Sequence, residues 1–390
     1  MKITLDLVIN NRVYLKLNKK YVAQILESLD IPNLFFDKPD LDQLYRFKSG
    51  HKISLYFLMI LMTSLNKPID NVENNIALIT SVKNTNVGIK NPKFPIDFTS
   101  KDGIRFIAAI MGDGELNSQL NVRYNNQDKK LIDLVLNSAK NLFGDVDYKL
   151  YYRKDKTYQL HFPKIVGIIS SILGIKPGRK TVTNYGIPAF IFNLDHGRQS
   201  VFIRQFFNDE GNVRLKDRRL QVKQTALISV SKQEAKKYPT KYAHNVLIDL
   251  QRLLLGMGID SKISLGSYRN DRVDWELSIY RIENLKKFQN LIGFDSNYKS
   301  EALDKAIKSY KFPSAARNKR LDYALDCAKK SQQKYGFITK HLLAKISKRS
   351  LKTATYYVVD LKKKGLLICV EKPKDKSGHL LPRKYNLVES

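Results

Sequence analysis

The chain has 390 residues, 43% of them hydrophobic, and 68 Lys and Arg against 37 Asp and Glu give it a formal charge of +31. That hydrophobic share excludes global disorder, and the length suits two to four domains. Two cysteines, Cys327 and Cys369, lie at no metal-binding spacing and exclude a disulfide framework and a zinc cluster. The charge repels itself in a compact fold unless a polyanion neutralises it, so a nucleic acid is the expected partner. The opening MKITLDLVINNRVYL has no signal-peptide pattern, and the apolar run 55–62 is too short to span a bilayer. A cytoplasmic protein with no membrane partner is expected.

In chain order, residues 1–92 combine a strand-like opening with helical patterns at 19–29 and 53–75. The basic, aromatic stretch Tyr45-Arg-Phe-Lys-Ser-Gly-His-Lys52 precedes the second of these. A mainly helical domain is expected there, either a DNA-binding helix-turn-helix or a packing module. From 93 to 312 one order of elements occurs twice. A helix at 104–111 leads to a strand region at 119–124, a helix at 129–142, a hairpin at 148–153 and 157–162, and a helix from 163. A helix at 201–207 then leads to a strand region at 220–230, a helix at 243–257, two strands about the turn at 269–272, and a helix at 282–291. The repetition lies in the order rather than the letters. It predicts an α+β fold of two pseudo-symmetric αββαββα units, 93–195 and 196–312. Residues 313–390 read as three helices followed by a basic hairpin, the order of a winged helix-turn-helix.

Chemistry is concentrated at two helix ends. Phe106–Glu115 reads FIAAIMGDGE and Ile203–Gly211 reads IRQFFNDEG, so Asp113-Gly114 and Glu210-Gly211 close matching helices. An acid at a helix C-terminus opposes the macrodipole at a cost of a few tenths to about 1 kcal/mol. The following glycine suits a left-handed cap. An unfavourable feature repeated at matching places needs a compensating gain, and a shared divalent cation supplies one. Ala108, Ala109 and Gly112 leave the first helix a nearly bare face, so a second helix can approach and bring the two carboxylates together. Paired carboxylates suit Mg²⁺ in phosphoryl transfer.

The two segments resemble the paired motifs of the LAGLIDADG homing endonucleases, over about residues 93–310. Lys93-Phe-Pro-Ile-Asp-Phe98, Gly178-Arg-Lys-Thr181 with Gly186-Ile-Pro188, Leu253-Leu-Leu-Gly-Met-Gly-Ile259, and Glu283-Asn-Leu285 through Ile292-Gly-Phe294 extend the resemblance. Met111, Ala109, Arg204 and Gln205 depart from the usual motif, while the terminal acids are intact. The resemblance implies motif helices at a unit interface and two saddle-shaped antiparallel sheets in DNA major grooves. It implies Asp113 and Glu210 as catalytic ligands of Mg²⁺ or Mn²⁺, and cleavage of both strands of a long double-stranded site by a monomer. Polar groups near the scissile phosphates are expected among Asn125, Lys129 and Lys164.

Strand residues with alternating polar side chains are the candidate readers of base edges. They are Asn121, Arg123, Lys149, Tyr151 and Arg153 in the first unit, and Arg219, Gln221, Lys223 and Gln224 in the second. Lys352, Thr353, Tyr356, Lys374 and Lys376 are the candidates in the terminal module. The same fold also serves inteins, non-cleaving transcription regulators and RNA-splicing maturases, the last with intron RNA as partner. The Met1-Lys2 opening and the Leu387-Val-Glu-Ser390 ending lack splicing residues, and the paired acids favour cleavage, so a free-standing DNA endonuclease is the expectation.

Overall fold

A computed structural model of the chain describes residues 1–8, 12–29, 38–269, 272–310, 320–374 and 381–388. Its contacts form two compact units, residues 1–280 with 284–306, and residues 281–283 with 307–390. Most of three segments separated on sequence, 1–92, 93–195 and 196–312, thus share one unit. The reason is a sheet that crosses the line at 92. Strands Ile53–Ser54, Tyr14–Leu17, Ile76–Thr80 and Ile89–Lys90 pair in that order, and Ile89–Lys90 pairs onward with Asp145–Val146 of the first repeat. Helices Lys19–Glu27, Lys38–Lys48 and Leu55–Ser64 belong to the same N-terminal segment. In its basic stretch Lys52 donates to the carbonyl of Thr85.

The first repeat runs α1 (Lys101–Met111), β1 (Gly114–Leu116), β2 (Val122–Asn126), α2 (Lys129–Phe143), β3 (Lys149–Tyr152), β4 (Tyr158–Phe162) and α3 (Lys164–Ile172). The second runs α4 (His196–Glu210), β5 (Gly211–Arg214), β6 (Arg219–Leu227), α5 (Asn245–Gly256), β7 (Ser261–Arg269), β8 (Arg272–Ile279) and α6 (Ile282–Leu291). A further helix, α7, spans Asn297–Lys308. The short strands β1 and β5 complete the αββαββα order that the sequence outlined. The sheets are antiparallel with matching strand orders, β1-β2-β4-β3 and β5-β6-β8-β7.

Local chemistry sets the helix starts. Ser100 caps α1 by accepting from Gly103 N–H at 3.1 Å, and Asp195 caps α4 by accepting from Arg198 N–H at 2.9 Å. Period-2 alternation sets the sheet faces. Val122, Tyr124 and Leu160 turn inward, as do Leu220, Val222, Ala226 and Leu277, all buried. The α1 ring Phe106 packs edge-on against Phe143 of α2 at 5.1 Å, joining motif helix to unit core.

The terminal unit holds α8 (Arg320–Tyr335), α9 (Lys340–Ser347), α10 (Leu351–Lys363) and the hairpin β9 (Leu367–Glu371) and β10 (Lys384–Leu387). Its core gathers Ala328, Ile338, Leu343, Ala354 and Leu361. Backbone bonds between Ile338 and Tyr385, 2.8 and 2.9 Å, tie the approach to α9 to the hairpin. Among the described residues no helix is long and apolar enough to cross a membrane.

Candidate active site

The two motif helices lie against each other, and their small residues are what permits it. Ala108 and Ala109 are fully buried, and a Cβ on Gly112 would stand 2.5 Å from Oδ2 of Asp209 on α4. The glycines that follow the acids act differently from the left-handed caps expected. Gly211 is extended, at φ −75° and ψ 140°, and Gly114 is not among the positive-φ glycines. Close approach of backbone demands them instead. A Cβ on Gly114 would meet Ile110 Cα at 2.4 Å, and one on Gly211 would meet Phe207 O at 2.3 Å. Each repeat therefore turns from its helix into the first strand of its sheet, with the acid at the corner.

Asp113 and Glu210, half-buried, occupy these matching corners. Burial first, and then the Glu210 carboxylate, push the Asp113 carboxyl up to about 6. Asn126 Nδ2 donates to Asp113 Oδ2 at 2.9 Å, and Asn125 N–H donates to the Asp113 carbonyl at 3.3 Å. Two lysines oppose the repulsion in matching positions. Lys180 Nζ donates to the carbonyls of Met111, at 2.8 Å, and Gly112, the open end of α1. Lys299 Nζ, on α7, donates to the carbonyls of Phe207, Asn208 and Asp209, the open end of α4. Each ammonium thus satisfies carbonyls that a helix C-terminus leaves without partners, and complements the dipole there. Desolvation lowers the pKa of both lysines, and the attraction of Asp113, Asp209 and Glu210 raises it. Tyr185 also donates to the Met111 carbonyl, at 2.7 Å.

A third acid lies between the two repeats. Asp209 occupies on α4 the position that Gly112 occupies on α1. Tyr124 of β2 donates to its Oδ1 at 2.7 Å, and Gln205 Nε2 donates to both oxygens at 3.0 and 3.2 Å. Burial and the Asp113 charge hold its carboxyl well above the usual range. The Tyr124 phenol is also raised, by burial and by Asp209.

Of the expected polar neighbours, Asn125 reaches the Asp113 corner. Lys129 does not; it is exposed at the start of α2 and pairs with Asp133 one turn on. Lys164 lines an open hollow of about 710 Å³ with Arg12, Gln119 and Asn121, at the distal end of the first sheet. Arg123, Lys149 and Tyr151 share the outward face of that sheet by register, with His161 and Gln159 facing them from β4. Arg153, just past β3, is exposed and 3.9 Å from Asp155.

On the second sheet Arg219 and Lys223 point outward, while Gln224 turns inward beside Leu220 and Val222 and is 9% exposed. Gln224 was expected to face DNA; one residue of register puts it on the core side. Gln221 has outward parity but is only 2% exposed. In the terminal unit Lys352, Tyr356 and Lys374 are exposed, and Thr353 is bonded to Ser350 in the first turn of α10. Lys376 lies outside the described residues.

Sequence reasoning missed Lys180, Lys299, Tyr124, Asn126 and Asp209. Lys180 stood within the Gly178–Thr181 segment already singled out, and Asp209 within the FFNDEG string. Their roles depend on which helix end or strand each one meets, and no local pattern reports that.

The LAGLIDADG-like domain family matches residues 199–293. A probable translation initiation factor IF-2 from Thermococcus kodakarensis is 34% identical over 149 residues, 37% of this chain and 11% of that protein. A probable IF-2 from Methanocaldococcus jannaschii is 29% identical over 240 residues, 59% of this chain and 18% of that protein. The chain therefore spans between about a tenth and a fifth of the length of these relatives. Among solved structures, I-DmoI in complex with DNA and Ca is 17% identical with a TM-score of 0.35, over 53% of this chain and 99% of that one. Full-length DUF199/WhiA from Thermatoga maritima is 14% identical with a TM-score of 0.34, over 69% of this chain and 93% of that one. Most of helix α4 with Glu210, the sheet that follows it and α6 fall within the matched span, and the chain thus contains a LAGLIDADG-like domain at residues 199–293.

Proposed function

We propose that the protein is a site-specific, metal-dependent endonuclease of double-stranded DNA that acts as a monomer and cuts both strands at the site built by the Asp113 and Glu210 corners. The observation that carries this reading is the matched construction of the two corners. Each has an acid where a motif helix turns into a sheet, and a lysine that caps the same helix end. The donor set suits a hard cation. Among the described residues no group of three or more His, Cys, Asp or Glu could hold a metal, so two carboxylates would be completed by water and phosphate oxygens. That is the usual manner of Mg²⁺.

Bound Mg²⁺ or Mn²⁺ would supply charge to activate water and to stabilise the leaving oxygen. Asp113 and Glu210 would hold it, and Asn126 keeps the Asp113 carboxylate oriented. Lys180 and Lys299 add positive charge beside the phosphates and hold the helix ends in place. Arg123, Lys149, Tyr151, Arg219 and Lys223 offer donors to the grooves. The terminal unit, with the element order of a winged helix, adds a second basic surface through Lys352, Tyr356 and Lys374.

A second reading, DNA binding without cleavage, has one observation in its favour: Lys180 and Lys299 already place two positive charges beside the acids from within the protein. Incubation with a randomised duplex library and Mg²⁺, with Asp113→Asn and Glu210→Gln as controls, separates the two. Cutting that both substitutions abolish supports the nuclease. Tight binding without cutting supports the second reading.

A further inference from the structure

The two sheets carry a polar cross-strand pair at the same place, but with different chemistry. Gly114 stands opposite Tyr124, and Gly211 stands opposite Val222. One residue further along, Asn125 faces Gln159 in the first sheet and Lys223 faces Glu276 in the second. Both pairs lie on the outward face, because their neighbours Tyr124, Leu160, Val222 and Leu277 are buried inward. Each pair is equally removed from its own acid.

Their hydrogen-bonding capacities differ. Gln159 Nε2 donates to Asn125 Oδ1 at 2.8 Å. Asn125 Nδ2 gives one hydrogen to the Asp113 carbonyl at 3.5 Å, which leaves its second hydrogen as a donor and Gln159 Oε1 as an acceptor. One donor beside one acceptor is the complement of the adenine N7 and N6 edge. In the second sheet Lys223 Nζ meets Glu276 Oε1 at 2.9 Å, and Arg219 meets Glu276 Oε2 at 3.6 Å. Glu276 is 8% exposed and lies under the two cations, so its burial keeps the carboxylate oxygens from a base edge. Lys223 and Arg219 keep spare N–H groups, so this surface only donates. Two acceptors, as on the O6 and N7 edge of guanine, are its complement.

We infer that these matched pairs make the two halves of the DNA site unequal, with Asn125–Gln159 selecting adenine and Lys223–Glu276–Arg219 selecting guanine at the corresponding position. Glu276 is then a positioning residue, an acid kept on a DNA-facing surface because it aims two cations. The inference rests on the DNA-binding reading above.

Binding selection from a randomised duplex library tests it, with wild type, the exchange Lys223→Asn/Glu276→Gln and the reciprocal exchange Asn125→Lys/Gln159→Glu. Wild type is expected to enrich A in one half and G at the matching position of the other. The first exchange should turn that G preference into an A preference by about tenfold or more, and the reciprocal exchange should do the converse. Circular dichroism identifies which exchanged proteins fold, and either one suffices. An enriched wild-type site whose preference at these positions survives a folded exchange overturns the inference and leaves DNA recognition standing. So does a uniform loss of preference across the whole site. If wild type enriches no duplex, the DNA-binding reading itself falls.

Discussion

Tyr124 on β2 of the first repeat donates its hydroxyl to Asp209 on α4 of the second across 2.7 Å, so a strand of one repeat is bonded to the motif helix of the other. Tyr124→Phe leaves that carboxyl to Gln205 alone. A loss of about 1–3 kcal/mol in urea unfolding is expected, with an unchanged denaturant slope. In a double-mutant cycle with Asp209→Asn, the coupling should exceed about 0.5 kcal/mol. Additive effects would mean that the bond contributes nothing.

Gly112→Ala places a methyl group 2.5 Å from Asp209 Oδ2 and 2.8 Å from its Cβ. The helices must separate or Asp209 must leave its partners. Destabilisation of about 1–3 kcal/mol is expected. Ala at Gly256, where nothing lies within 4 Å, serves as the control that thermal unfolding should tolerate.

The Asp113 carboxyl is pushed up to about 6 from an ordinary 3.8. The folded state therefore binds its proton more tightly than the unfolded chain does. This group's stabilisation is fully present below pH 4 and is lost as pH rises through 6. Asp113→Asn should remove that part of the pH dependence of Tm and stabilise the protein at pH 8, on the order of 2 kcal/mol. Mg²⁺ should raise the Tm of wild type at pH 8 and leave that of Asp113→Asn/Glu210→Gln unmoved.

Lys180→Met and Lys299→Met each remove an ammonium donor from a helix end and a positive charge from the corner. Single-turnover cleavage should fall on the order of 10²-fold for each, with duplex affinity reduced far less. Equal losses in cleavage and binding would assign the lysines to structure alone.

Lys352 is exposed on the first turn of α10. Lys352→Gln should lower the slope of log affinity against log salt by about 0.9 if it meets a phosphate. An unchanged slope would remove this helix from the DNA interface.

The repeat was legible because helical and strand periodicities survive where letters diverge. The two acids were legible because an Asp-Gly or Glu-Gly ending recurs at matching places. The α10 helix and the terminal hairpin were legible for the same periodic reason. Gln224 shows where such reading stops. Alternation tells that a strand has two faces, but only pairing with β8 tells which face meets the core. The glycines after the acids were noticed for a conformation that they do not adopt. Backbone proximity requires them, and proximity is invisible in a string.

By itself, the sequence determined the elements, their duplicated order, the positive charge and the place of both acids, since these follow from local propensity and spacing. Only the tertiary structure decided that Lys180 and Lys299, about 70 and 90 residues from the carbonyls they cap, complete the two corners. It alone placed Asp209 between the repeats and joined residues 1–92 to the first repeat through one sheet. These are contacts between distant segments, set by how the surfaces pack and not by any pattern along the chain.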